Sequence, residues 1–91
     1  MGELDGDWNV KRVRGLLPPM VGVRKRIAGA SGETRIGPFL AVPFDVVGLD
    51  LRYRPPFGGF VDELEPTGDG YRGRATFRGR EFGRFLLTRI S

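Results

Sequence analysis

Cysteine is absent from this 91-residue chain. No disulfide can staple the fold, and neither thiolate chemistry nor a Cys-ligated metal is available. Histidine is absent too, which removes the commonest general base, metal ligand and triad member. Serine occurs only at Ser31, within a turn signal, and at Ser91, and neither has a sequence partner that could activate it. No apolar run approaches the ~20 residues that a membrane-spanning helix needs. Lysine is confined to Lys11 and Lys25 and asparagine to Asn9, so the net charge of +4 rests on arginine.

Uninterrupted sequence is also scarce. With 15 Gly and 7 Pro, the longest stretches free of both are 7–14 and 84–91. Isolated helices shorter than ~12 residues are marginal, and an interior Gly or Pro costs ~1 or ~3 kcal/mol. Windows this short suit strands instead. Between the interruptions, side chains alternate. Trp8 and Val10 oppose Asp7, Asn9 and Lys11. Val21, Val23 and Ile27 share a face with Lys25, while Arg24 and Arg26 take the other. Leu49, Leu51 and Tyr53 oppose Asp50, Arg52 and Arg54, and Tyr71, Ala75 and Phe77 oppose Arg72, Arg74, Thr76 and Arg78. The run 82–90 is apolar on both sides around Phe85-Leu86-Leu87 and reads as a more buried strand.

Turn chemistry fills the gaps. Gly29-Ala30-Ser31-Gly32, Thr67-Gly68-Asp69-Gly70 and Gly79 are reversal signals. Pro55-Pro56-Phe57-Gly58-Gly59 reads as a longer loop, and Leu16-Leu17-Pro18-Pro19 as extended chain that cannot donate ladder hydrogen bonds at either proline. Pro43 implies an edge strand or a bulge. The expected fold is therefore all-β: a small antiparallel up-and-down meander of seven or eight short strands closing into a barrel. The alternative is an open sheet that closes against a second copy as a dimer. One domain spans 1–91, with residues 1–5 expected to fray. The start, Met1-Gly2-Glu3-Leu4-Asp5, is acidic and has no apolar stretch. No secretory signal is expected, and the lack of cysteine leans the same way, towards the cytoplasm.

The N-terminal strand opens Gly6-Asp7-Trp8-Asn9-Val10. This resembles the Gly-x-Trp signature on the first strand of lipocalins and the wider calycin group. The segments Val61-Asp62-Glu63-Leu64 and Gly70-Tyr71-Arg72-Gly73-Arg74, continuing to Arg84, look like the closing strands of bacterial lipocalin-like proteins. The resemblance implies an up-and-down barrel whose Trp plugs the closed end, crossed by an Arg of the last strand. Arg84, in Gly83-Arg84-Phe85-Leu86, matches that position better than Arg89. Gly6, Trp8 and Arg84 are then the barrel-closing residues.

No motif points to catalysis. Asp62, Glu63 and Glu65 form the densest acidic cluster, but Asp62 falls on the opposite face from the other two, and a solvated edge balancing nearby Arg is the expected role. Gly68-Asp69-Gly70 and Gly58-Gly59 are turn glycines and open no helix that could cradle phosphate. The chain is read as a non-enzyme with no cofactor and no metal. Binding is the remaining class. A barrel whose lumen is not filled can hold a small apolar or amphipathic ligand. Lys25 is the one cation on an apolar inward face. Either it meets a ligand carboxylate or phosphate, with Tyr53, Tyr71 and Phe77 completing the site, or it lies near a strand end and reaches water. A second reading takes the outward Arg24, Arg26, Arg52, Arg54, Arg72, Arg74 and Arg78 as a surface for nucleic acid or another polyanion. Arginine abundance from a GC-rich genome explains the same residues without a partner. A third reading is a protein-interaction module docking through the 55–59 loop or an exposed strand edge, and monomer and homodimer both remain open.

Overall fold

The computed structural model describes residues 2–15 and 22–90. Leu16-Leu17-Pro18-Pro19 and Val21 lie outside the described residues. Eight antiparallel strands form a meander that closes into a barrel, with no helix among the described residues: β1 Gly6–Gly15, β2 Val23–Ala28, β3 Ser31–Ile36, β4 Leu40–Val47, β5 Asp50–Tyr53, β6 Phe60–Pro66, β7 Gly70–Phe77 and β8 Arg80–Arg89. Among the described residues no helix is long and apolar enough to cross a membrane. Closure occurs within one chain, through antiparallel pairing of β1 with β8 from Trp8↔Arg89 to Gly15↔Gly83. Each strand is therefore paired with two neighbours within one chain, and the open-sheet dimer is set aside.

Alternation sorts most side chains as the sequence pattern requires, except at the end of β7, where Thr76, expected outward, is buried and Phe77, expected inward, is exposed. Trp8, Val10, Val23, Ile27, Phe44, Leu51 and Leu87 point inward and are buried. At two places a glycine sits directly opposite a phenylalanine: Gly32 faces Phe44 and Gly73 faces Phe85. A Cβ on Gly73 would stand 2.1 Å from the Phe85 ring, and one on Gly32 would stand 2.8 Å from that of Phe44. Each missing side chain leaves the space that the ring across the strand fills.

Several expectations are corrected. Residues 2–5, expected to fray, are packed against the barrel. Leu4 is 2% exposed, its carbonyl accepts from Trp8 Nε1 at 2.8 Å, and the Asp5 carboxylate accepts from the Gly29 amide at 2.7 Å. Pro43 marks neither an edge nor a bulge. It pairs with Glu33, and its carbonyl faces Arg54 on the other side, just past the end of β5. N–H and C=O of one strand residue point the same way, so the missing donor faces Arg54, where β5 has ended, and the ladder to β3 loses no bond. Strand β8 is not buried on both faces. Phe85 and Leu87 are buried, Leu86 is half-buried, and Arg84 and Thr88 are exposed. Its register slips between Ala75↔Gly83 and Thr76↔Glu81, leaving Phe82 as the extra residue. That bulge puts Phe82 rather than Glu81 on the inner side.

Candidate functional site

The barrel has unlike ends. At one end Trp8 is the plug. Tyr71 meets it edge-on at 5.4 Å between ring centres, and Arg89 covers its other flank with the guanidinium 4.2 Å from the ring centre. Arg89 thus fills the position expected of Arg84. Arg84 faces solvent and pairs with Glu81 at 3.0 Å. The reason is register: Arg89 lies opposite Trp8, whereas Arg84 lies opposite Arg14 near the other end of β1. Gly6 opens β1, opposite Ile27. Tyr71, expected at a ligand site, belongs to the plug, where its hydroxyl donates to Glu3 Oε2 at 2.8 Å.

The other end opens into a cup of about 390 Å³. Strands β1 to β4 supply Val10, Val23, Ile36 and Val42 to its wall. The far side is aromatic: Phe57 from the 54–59 connection, Phe60, Phe82 and Phe85, with Ala75 between them. Phe57, 45% exposed, stands at the lip. Phe77 is not part of the lining. It ends β7 beside the Arg78-Gly79 turn, so its ring lies at the rim, 4.6 Å from Phe60 and under the Arg78 guanidinium.

The cup's polar residues are few: Lys25, Thr34, Tyr53 and Asp62. Lys25 is 3% exposed and does not reach bulk water. Its Nζ donates to Thr34 Oγ1 at 2.7 Å, to Tyr53 OH at 2.8 Å and to Asp62 Oδ2 at 2.9 Å. The rings of Phe44, Tyr53 and Phe85 lie 5.4–5.5 Å from the same nitrogen. An ammonium taken from water needs such replacements for its lost hydration. Burial works against its charge, but the Asp62 carboxylate and Tyr53 outweigh it, so the Lys25 pKa lies above its ordinary value. Burial pushes the Tyr53 hydroxyl up, only partly opposed by the Lys25 charge. Asp62 is itself 7% exposed, not a solvated edge residue. Glu63 and Glu65 on the outer face do follow the expected pattern and pair with Arg74 and Arg72.

The outer arginines are mostly answered by carboxylates. Arg26 pairs with Asp7, Arg54 with Asp45 and Arg52 with Asp50. Such exposed pairs contribute little to stability, but they neutralise the face on which a polyanion would sit. Among the described residues no group of three or more Asp or Glu is gathered to hold a metal.

Fold and site together define a small closed antiparallel β-barrel, plugged by an indole at one end and hollow at the other. Comparison with models of known protein families, with curated proteins and with solved structures returns no match.

Proposed function

We propose that this chain is a non-enzymatic, lipocalin-like barrel of the calycin type that binds a small apolar or amphipathic molecule in its cup. One observation carries the reading: an inner volume of about 390 Å³ walled by valine, isoleucine and phenylalanine, with a compact polar cluster on its inner surface. Cavities of roughly 300–1,000 Å³ with apolar walls and a few convergent polar groups are the usual form of small-molecule sites. The calycin reading is supported by the indole plug and the Arg89 guanidinium across it. A binding rather than catalytic role is supported by Lys25. Its amine is held as an ammonium and has no lone pair with which to attack a carbonyl.

Native mass spectrometry of the purified protein tests this directly. The expected spectrum shows a co-purified small molecule, or uptake of an added apolar alcohol, and Ala75→Phe, which fills the cup, abolishes either. Co-purified nucleic acid with no small-molecule adduct would replace this reading with polyanion binding. The same spectrum separates monomer from dimer.

A further inference from the structure

Resting on the reading of the cup as a ligand site, we infer that its occupant enters with a hydrogen-bond donor foremost: an apolar molecule ending in a hydroxyl, not in a carboxylate or phosphate. Protons and lone pairs in the polar cluster decide this. Lys25 has three N–H bonds and commits all of them, to Thr34, Tyr53 and Asp62. The Tyr53 hydroxyl donates to Asp62 Oδ2 at 3.0 Å. Thr34 is then the donor in its 2.6 Å contact with Tyr53. Every polar hydrogen of the cluster is engaged.

What is left over is acceptor capacity. Asp62 Oδ2 takes bonds from both Lys25 and Tyr53, whereas Oδ1 takes none among the described residues. No fully enclosed side-chain oxygen or nitrogen there lacks a partner, so Oδ1 retains open surface, and Asp62 lines the cup. A carboxylate in water holds several donors. This one offers its unused oxygen to whatever fills the cavity. The charges of Lys25 and Asp62 cancel, so the cluster exerts no net pull on an anion. An anionic head group would have to strip Lys25 from its partners and lie beside a second carboxylate. Taken alone, a lysine on an apolar inward face suits a carboxylate or phosphate ligand; its partnership with Asp62 reverses that preference. At about 30 Å³ per water-sized group, the cup holds roughly a dozen non-hydrogen atoms, the size of a medium-chain alcohol.

Isomeric probes isolate the donor. 1-Octanol and 1-methoxyheptane have the same formula and are both neutral, but only the alcohol can donate, and a featureless apolar cup favours the ether. Affinities are measured by NMR titration of the intact protein, with octanoate as the anionic probe. The alcohol is expected to bind about tenfold more tightly than the ether, as befits a hydrogen bond to a charged acceptor, and octanoate more weakly than either. Lys25→Met with Asp62→Leu replaces the pair by apolar groups of similar size; in that variant the ether is expected to bind at least as well as the alcohol. Equal or tighter binding of the ether or of octanoate by the unaltered protein overturns the inference while leaving the cup a ligand site. Failure of all three probes to bind either protein overturns that reading as well.

Discussion

The Arg89 guanidinium lies 4.2 Å from the centre of the Trp8 ring and donates to the backbone carbonyl of Asp5 at 2.7 Å. One side chain of the last strand thus holds both the plug and the segment that precedes the first strand. Arg89→Ala is expected to lower stability by about 1–2 kcal/mol, since a cation over indole and a charge-assisted hydrogen bond are both lost. Urea unfolding followed by Trp8 fluorescence measures it. Arg84→Ala, which removes only solvent-exposed pairing with Glu81, is expected to leave the midpoint within error.

Lys25 and Asp62 are expected to behave as a unit. Lys25→Met alone strands a buried carboxylate, and Asp62→Leu alone strands a buried ammonium; each costs about 3–5 kcal/mol. The double substitution is expected to cost far less than the sum, and a thermal-denaturation cycle on the four proteins gives the coupling. Additive losses would mean that the pair does not stabilise itself.

Stability is expected to fall in alkali. The Lys25 and Tyr53 pKa values both lie above their ordinary 10.5 and 10.0. Each group therefore binds its proton more tightly folded than unfolded. The contribution is complete below about pH 10 and is lost as pH rises through the folded values. Melting temperatures from pH 7 to 11 should be flat and then decline above pH 10. Tyr53→Phe should start lower and decline less.

Gly73→Ala is expected to destabilise by about 1–3 kcal/mol, because the new methyl overlaps the buried Phe85 ring and forces it out of its place against β7. Gly68→Ala, which meets nothing within 4 Å, serves as the control. Equal midpoints for the two would dismiss the glycine–phenylalanine pairing as a constraint.

Much of the fold was legible because the decisive facts were local. Glycine and proline left only strand-length windows, and the two-residue alternation placed Trp8, Val23, Lys25, Ile27 and Leu51 inward. The site was less legible because it depends on register across the barrel. Asp62 comes from β6 to meet Lys25 of β2, and nothing near either residue announces the other. The run 62–65 reads as a solvated acidic edge even though Asp62 falls on the opposite face from Glu63 and Glu65, because that face has no partner in sight along the sequence. Phe82 enters the cup through a bulge that alternation cannot foresee. Arg84 and Arg89 are both plausible covers for the indole until the β1–β8 register places Arg89 opposite it.

Every strand pairing but one joins neighbours along the chain; the exception is the seam between β1 and β8. Hairpins form in microseconds, whereas contacts between distant parts of a chain wait on loop closure. The seam is therefore the expected slow step of folding, and the indole beside it is a built-in clock. In stopped-flow refolding, Trp8 fluorescence should lag behind the far-ultraviolet signal of the growing sheet. A rise of both in one phase would mean that the cylinder closes as its staves assemble.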